Sequence, residues 1–325
     1  DVDVLYYCEK GREADAERGF RATIPSMEIF SKTFGVRYPY EKYAQVAAAA
    51  FPGGMENTTA TTQTDACLLT VDAALDTDLD LLVSHELAHQ WFGDLLTCRE
   101  WSHAWLNEGF ATYCEMVFTE QDKGADERDY EMERNRQSYF DEDAHRYRRA
   151  IVHQNYRYPW ALFDRHLYEK GGWVVHMLRR VLGEDDFWKA IRHYLVKNRN
   201  KSVETTDLIL AVEEATGKNM RWFFDQWVYR PGHPELKVTW TWAAKSGKAE
   251  VRVEQTQAKS GEAFRLPLMF RFSGKRGKWT REFTETVKKA AHKFSFSLPE
   301  APAMFEVDPE HSILKTLDLK KEHSM

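Results

Sequence analysis

The chain has 325 residues, which is long enough for two domains with separate hydrophobic cores. Its composition of 43% hydrophobic and 30% charged residues is typical of a globular protein, and no apolar run approaches the ~20 residues that cross a bilayer. We therefore predict no transmembrane segment in this chain, and the net charge of −6 argues against nucleic acid as a partner.

The charge is unevenly distributed along the chain. From His233 to the C-terminus there are 17 Lys and Arg against 12 Asp and Glu, whereas the preceding part has 28 against 39. An acidic N-terminal part favours a substrate that carries a cationic group, such as a free α-amine.

The first elements alternate between strand and helix patterns. Residues 1–7 alternate weakly and predict an edge strand. Apolar residues then recur at steps of three and four from Glu13 to Phe34, which predicts a helix that begins near Pro25 or bends there. Residues 43–50 predict a strand, which leads into a loop rich in glycine.

This loop reads Gly53-Gly54-Met55-Glu56-Asn57. Paired glycines let a backbone approach another molecule closely, so a loop of this kind after a strand can place Glu56 against a ligand. On the residues alone, an ordinary turn with an exposed glutamate is the alternative.

The next motif is His85-Glu86-Leu87-Ala88-His89. Two histidines at i and i+4 lie on one face of a helix and can bind one Zn²⁺. Glu86 projects beside that metal, where a base for its water belongs. The 18 residues between His89 and Glu108 suffice to end one helix and begin another, so Glu108 is the predicted third ligand. A solvated helix face is the alternative for the bare motif.

Boundaries for these two helices follow from capping patterns. Thr77 or Asp78 should cap the first helix, which we expect to run to about Leu96. The second should begin near Leu106, and Glu115 then shares a face with the predicted third ligand. We expect Glu115 either to orient a zinc histidine or to lie on the surface.

Further along, residues 121–149 are dense in charge and predict a solvated helix or a mobile loop. The stretch Tyr168-Glu169-Lys170-Gly171 follows, in which a lone tyrosine before a helix is ordinarily a packing residue. Amphipathic helices are predicted after it over residues 173–182, 187–197, 205–216 and 220–229.

A breaker at Pro231-Gly232-His233-Pro234 marks a domain boundary. Beyond it apolar residues alternate with polar ones, and turns separate several short strands. We therefore predict two domains, residues 1–231 and 232–325, the second a small antiparallel β-sandwich with no chemistry assigned to it.

Three of these stretches resemble the gluzincin aminopeptidases, the family of aminopeptidase N and leukotriene hydrolase. They are the Gly53–Asn57 loop, the His85–His89 motif with Glu108, and the Tyr168–Gly171 stretch, and the resemblance covers about residues 30–236. It implies an α+β protein whose thermolysin-like, mainly helical zinc metallopeptidase domain precedes the sandwich. Gly54 stands where many relatives have Ala, a change that we expect not to alter the loop's role.

The resemblance also implies roles for individual residues. One Zn²⁺ per chain is held by His85, His89 and Glu108, with Glu86 as the base. Glu56 would pair with the α-amine of a peptide that has a free N-terminus, and the other loop residues would contact the substrate. Tyr168 would stabilise the oxyanion.

The implied function is a zinc aminopeptidase. A thermolysin-type endopeptidase, an epoxide hydrolase like leukotriene hydrolase and an inactive scaffold are the alternatives. Relatives carry a β-rich domain before the catalytic part, so we expect a fragment that binds zinc but turns over slowly alone.

Other properties are weakly constrained. None of the four cysteines belongs to a Cys-x-x-Cys pair, so a cysteine-bound zinc is not expected. Buried free thiols are expected, and a disulfide between two of the four is the alternative. The chain begins at Asp1 without a leader, which slightly favours the cytoplasm over the periplasm or the extracellular space. The sequence does not indicate the oligomeric state.

Overall fold

The computed structural model describes residues 2–259 and 262–322. They belong to two compact units, Asp1–Pro231 and Gly232–Met325. The first unit is mainly helical and the second is built from β-strands, which confirms the predicted α+β class.

The helices of the first unit carry most of its core. They are α1 (Glu13–Gly19), α2 (Thr23–Phe34), α3 (Ala73–Asp76), α4 (Asp80–Ala88), α5 (Trp105–Asp122), α6 (Ala125–His145), α7 (Glu169–Leu182), α8 (Glu184–Lys197), α9 (Thr205–Thr216) and α10 (Arg221–Trp227). The charged stretch after residue 121 is thus the helix α6, rather than a loop.

The strands of this unit are short. They are β1 (Asp3–Tyr7), β2 (Lys42–Ala48), β3 (Gly54–Met55), β4 (Ala60–Thr64), β5 (Leu96–Cys98) and β6 (Lys201–Val203). One sheet has the order β1-β2-β4-β3, which places β1 at an edge as predicted, and β5 pairs with β6. The glycine-rich loop begins on β3, which pairs antiparallel with β4.

The predicted helix from Glu13 to Phe34 is in fact the pair α1 and α2. Pro25 lies in the first turn of α2, where its missing N–H removes no helical hydrogen bond. Gly35 ends α2 in the left-handed conformation at φ 62°. The prediction placed the discontinuity correctly near Pro25.

The helix that carries the two motif histidines is shorter than predicted. It ends with His89 as its C-cap residue, not near Leu96, and Leu79 rather than Thr77 or Asp78 is its N-cap. Gly93, at φ 145°, turns the chain so that its N–H donates to the Leu96 carbonyl at 2.8 Å. The apolar residues on either side of Gly93 are buried like those of the helix, which conceals the turn, although Asp94 within it is half-buried.

The second unit consists of two sheets with an aromatic core. Its strands are β7 (Glu235–Ala243), β8 (Lys248–Gln255), β9 (Leu266–Ser273), β10 (Thr280–Val287), β11 (Ala291–Ser297), β12 (Met304–Val307) and β13 (Thr316–Lys321). The sheets have the orders β10-β9-β12 and β11-β8-β7-β13. Phe272 of one sheet packs on Phe296 of the other with ring centroids 5.6 Å apart.

One strand pair departs from the prediction of an antiparallel sandwich. β13 pairs with β7 in parallel, from Thr316 opposite Glu235 to Lys321 opposite Trp240. This is possible because β13 is the last strand and reaches the sheet edge after a crossover, not through a hairpin.

Candidate metal centre

Three side chains from two helices converge on one point. His85 lies in α4, His89 caps it, and Glu108 lies in the first turn of α5. The two histidine Nε2 atoms are 3.1 Å apart, and Glu108 Oε2 lies 3.3 Å from His85 Nε2 and 3.1 Å from His89 Nε2. His89 and Glu108 are buried, and the His85 side chain is 12% exposed.

Each histidine also makes a hydrogen bond through Nδ1, the ring nitrogen on the side away from Glu108. These hydrogen bonds determine which ring nitrogen carries the proton and therefore which one can bind a metal. His89 Nδ1 lies 2.9 Å from the Phe92 carbonyl oxygen, which can only accept, so Nδ1 carries the proton. His85 Nδ1 lies 2.7 Å from Glu115 Oε1, which fixes the same tautomer when that carboxyl is ionised. In neutral histidines both Nε2 lone pairs therefore face Glu108.

This donor set fits a zinc ion. In a tetrahedral site with ligands at 2.0–2.1 Å, the ligand atoms lie about 3.3 Å from one another. The separations of 3.1 to 3.3 Å here match that geometry closely. Two imidazoles and one carboxylate also leave a fourth position, which is the pattern of catalytic rather than structural zinc.

The pKa values in the triad show how strongly it favours a positive charge. Burial alone would lower the pKa of His89, but the nearby Glu108 and Glu56 carboxylates raise it to about 9. Burial also opposes protonation of His85, yet hydrogen bonds with Glu108 and Glu115 raise its pKa well above the ordinary value. Burial opposes ionisation of Glu108, but the two histidines hold its pKa well below the usual range.

Glu86 lies beside the triad in a distinct environment. It is 4% exposed, and among residues 2–259 and 262–322 none donates a hydrogen bond to its buried Oε2. Burial raises the pKa of Glu86 to about 7, although the neighbouring His85 and His89 act in the opposite direction. A carboxyl group with this pKa can both accept and donate a proton near neutral pH.

The glycine-rich loop places a second carboxylate at the same site. Single oxygens of Glu56 and Glu86 and one ring nitrogen of His89 all lie within 4.8 Å of one another. Gln90 ties the loop to the end of α4, because its Nε2 donates to the Glu56 carbonyl at 3.2 Å and its Oε1 accepts from Thr59 N at 2.8 Å. Gln90 directly follows the second motif histidine, but no sequence pattern marks it as part of the site.

Other members of the loop also contact this region. Gly53, Gly54 and Met55 line the cavity beside the triad, and Asn57 accepts from Thr62 Oγ1 at 2.9 Å. A Cβ built on Gly54 would lie 2.2 Å from Glu86 Oε1. Alanine at position 54 would therefore displace the Glu86 side chain. That this exchange leaves the loop's role unchanged stays a prediction.

Glu115 lies behind His85 rather than on the open surface. Its side chain is 16% exposed and its Oε1 contacts His85 Nδ1. Burial raises the pKa of Glu115, while the hydrogen bond with His85 opposes that effect. Of the two positions that the sequence left open, the structure thus places Glu115 at the histidine.

Tyr168 lies at the N-terminus of α7, facing the triad. Its ring centroid is 6.0 Å from that of His85, and the side chain lines the same cavity. Burial raises the pKa of Tyr168 above its ordinary value, and the adjacent carboxylates, Glu108 first among them, raise it further. The phenol therefore stays protonated and remains a hydrogen-bond donor.

Two glycines bring α5 and α7 together at this point. Gly109 directly follows the third triad residue, and a Cβ on it would lie 2.9 Å from the Gly171 Cα. The backbones of the two helices touch there, and any larger side chain would separate them. This contact holds Glu108 and Tyr168 across one cavity.

That cavity has a volume of about 920 Å³. It is lined by the charged and polar residues described above and also by apolar ones. The apolar residues are Phe51, Pro52, Leu82, Trp101, Trp160 and Phe163. A cavity with a largely apolar lining and convergent polar groups is the usual form of a small-ligand site.

Comparison with known proteins identifies the family. The model of the Peptidase family M1 domain matches residues 19–227. This chain therefore belongs to peptidase family M1, which confirms the resemblance drawn from the three motifs.

Relatives of known function support this assignment. The chain is 30% identical to Aminopeptidase M1-A of Oryza sativa subsp. japonica, over 80% of this chain and 30% of that protein. It is 32% identical to Aminopeptidase 2 of Candida albicans, over 79% of this chain and 28% of that protein. Aminopeptidase N of Lactococcus lactis subsp. lactis is 34% identical, over 65% of this chain and 26% of its own length.

A solved structure shows the same fold. Aminopeptidase A of Legionella pneumophila, determined in complex with aspartic acid, superposes with a TM-score of 0.83 at 18% identity. The match covers 97% of this chain and 36% of that one. The chain thus spans about a third or less of the length of the relatives it matches.

No helix in the part of the chain that the structure describes has both the length and the apolar character required to cross a membrane.

Proposed function

We propose that this chain carries the catalytic centre of a zinc aminopeptidase, which removes the N-terminal residue from peptides. The observation that carries the proposal is the position of Glu56, whose carboxylate lies within 4.8 Å of atoms of Glu86 and His89. A carboxylate so close to the triad can pair with a substrate's α-amine and so place the first peptide bond at the metal centre.

One zinc ion per chain would be held by His85, His89 and Glu108. When bound, zinc acts as a Lewis acid that polarises the scissile carbonyl and lowers the pKa of a water molecule toward ~7. The pKa directions in the triad support this, because they reflect a site that is stabilised by a cation.

Glu86 would serve as the base and then as the acid. None of the described residues donates a hydrogen bond to its Oε2, so this oxygen can accept a proton from the attacking water, and the leaving amine then receives that proton. Because burial brings its pKa to about 7, neither transfer has to overcome a large difference in pKa.

Tyr168 would stabilise the negative oxygen that develops on the carbonyl carbon. Its phenol lies in the same cavity and stays protonated, so it can donate a hydrogen bond to that oxygen. The group is fixed before the reaction, so little reorganisation is needed.

Glu56 would restrict the reaction to free N-termini. A free α-amine is cationic and pairs with the Glu56 carboxylate, whereas an acetylated N-terminus leaves that carboxylate without a partner. An endopeptidase would show no such dependence, and this difference separates the two activities.

The test compares one peptide in free and N-acetylated forms, with and without a chelator, together with the metal content of the protein. We expect one zinc per chain and chelator-sensitive cleavage of the free peptide only, which Glu56→Gln should weaken mainly through KM. Cleavage of both forms would replace the proposal with an endopeptidase. Zinc binding without cleavage would point either to a fragment that lacks part of the substrate pocket or to an inactive scaffold.

A further inference from the structure

A buried ionic cluster lies next to the segment that leads into Tyr168, and the proposed chemistry makes no use of it. Its members are buried and belong to α6, α7 and the irregular chain between them. They are Glu142, Asp143, Arg149, Asp164, His166 and Lys170. Buried charges are costly, so a cluster of this size calls for a reason.

Arg149 is the best-connected member. Its Nε donates to Asp164 Oδ2 at 2.7 Å and its Nη2 donates to Asp164 Oδ1 at 2.6 Å. Its remaining N–H groups donate to three backbone carbonyls, those of Ala150, Ile151 and Leu162, at 2.7 to 2.9 Å. All five N–H donors of the guanidinium are therefore used.

Asp164 accepts this bidentate contact and also caps the next turn. Its Oδ1 accepts from the backbone N–H groups of His166 and Leu167, both at 3.0 Å. Its Oδ2 accepts from the Tyr147 hydroxyl at 2.9 Å. Five hydrogen bonds thus converge on one carboxylate, which is 4% exposed.

The same residue is one turn away from the proposed oxyanion donor. The Asp164 carbonyl accepts from Leu167 N at 3.0 Å and from Tyr168 N at 3.2 Å. On its other side, Phe163 lines the cavity next to the triad. Asp164 therefore joins two cavity-lining residues and faces away from the cavity itself.

The described residues of this cluster do not favour a second metal site. Glu142, Asp164 and His166 lie close enough together to hold a cation. However, Glu142 already accepts from Arg165 N at 2.7 Å and from Arg146 at 2.9 Å, and the Asp164 oxygens are occupied as described. Arginine supplies the positive charge that a cation would bring.

We infer that Arg149 and Asp164 are positioning residues, which fix the Tyr168 phenol opposite the triad by bracing the irregular chain before α7. The inference rests on the proposed function of Tyr168. Lysine cannot replace Arg149, because an ammonium has three donors and cannot form the planar bidentate contact while also holding three carbonyls.

The first experiment is a double-mutant cycle with a peptide substrate. Arg149→Lys should lower kcat about 10- to 100-fold with little change in KM, the range for a slightly misplaced catalytic group. In the Tyr168→Phe background the same change should cost less than about twofold, since nothing is left to position. Equal losses in both backgrounds would overturn the inference, because they would indicate a general structural role.

A second measurement does not depend on activity. Hydrogen exchange followed by mass spectrometry should show faster exchange in peptides that cover residues 163–172 of Arg149→Lys. Peptides that cover residues 80–122, which hold the triad, should be unchanged. Unchanged exchange over residues 163–172 would overturn the inference, even if the wild-type chain cleaved no peptide.

Two variants control for loss of folding. Tyr147→Phe removes a single donor to Asp164 at a partly exposed position. It should give a smaller loss of kcat and a smaller increase in exchange over residues 163–172 than Arg149→Lys. Arg134→Lys, at an exposed position on α6, should give neither.

Failure of the proposed function would appear separately, as a wild-type chain without cleavage or a Tyr168→Phe variant with full activity.

Discussion

A buried ion pair of the second unit and two buried glutamates of the first unit differ in how their carboxylates are partnered. In the second unit Asp308 and Lys315 form a buried ion pair, and the same carboxylate accepts from Ser312 N at 2.9 Å and Ile313 N at 3.0 Å. In the first unit Glu86 and Glu169 each bury an oxygen to which the described residues donate no hydrogen bond. Asp164 of the first unit is hydrogen-bonded as completely as Asp308. Among the described residues, the contrast is therefore between such carboxylates and the unmatched oxygens of Glu86 and Glu169.

This difference separates a structural charge from a functional one. A carboxylate that is fully hydrogen-bonded shapes a loop and has no capacity left for a ligand. An unmatched carboxylate beside a cavity raises the free energy of the folded state. Proteins retain such a group at sites where a substrate, metal or proton supplies the missing partner.

The largest effect should come from Glu86→Gln. The amide keeps the shape of the side chain but cannot accept a proton from water, so we expect kcat to fall by about 10²- to 10⁴-fold. The measurement is peptide cleavage at equal zinc content. Retention of more than a tenth of the rate would show that Glu86 is not the base.

A core substitution in the second unit should lower the stability of the fold and leave the metal site unchanged. Phe272→Ala removes a buried ring that packs on Phe296 and Phe305, so we expect the free energy of unfolding to fall by about 3–5 kcal/mol. Zinc affinity, measured by competition with a chelator, should stay unchanged. Phe283→Ala, at a half-buried position, is the matched control and should cost less; a change in zinc affinity would show that the units are coupled.

The third prediction concerns the pH dependence of stability. Burial raises the pKa of Glu169 from 4.5 to about 7, so between these values the folded state binds more protons than the unfolded state. The stability that Glu169 contributes is thus complete below pH ~4.5 and is lost as the pH rises through ~7, by at most about 3 kcal/mol.

Glu169→Gln should therefore be more stable than wild type at pH 8, and the difference should shrink toward pH 5. Thermal unfolding at several pH values measures this. Glu28→Gln, at an exposed position on α2, should show no such trend. A constant difference across the pH range would mean that Glu169 ionises normally in the folded protein.

The smallest effect should come from Glu115→Gln. The amide oxygen can still accept from His85 Nδ1, but it lacks the charge that strengthens this hydrogen bond and makes the ring a better ligand. We expect zinc affinity to fall about 10-fold, at the low end for such substitutions. An affinity equal to that of Glu28→Gln would show that the contact at 2.7 Å does not tune the metal site.

The sequence predicted those parts of the site that depend on short spacing. The interval of four residues between His85 and His89 dictates a shared helical face, and the structure places both rings and Glu108 together. The period of two beyond Pro231 likewise predicted the strands of the second unit. In both cases local geometry determines the outcome.

Features that depend on distant parts of the chain were not predictable in this way. The early end of α4 results from Gly93 and a hydrogen bond to Leu96, inside a run in which apolar residues stand on both sides of the turn. The contact between Arg149 and Asp164 joins two irregular segments without periodicity. No spacing rule relates such residues, so only the folded chain brings them together.

The contact between Gly109 and Gly171 has a consequence for how this family can vary. The distance between Glu108 and Tyr168 is set where two helices touch, and not by the 59 residues that separate them along the chain. Insertions or deletions at the exposed start of α6 should therefore leave the active centre intact. A bulkier residue at either glycine would disturb it with no change in length at all.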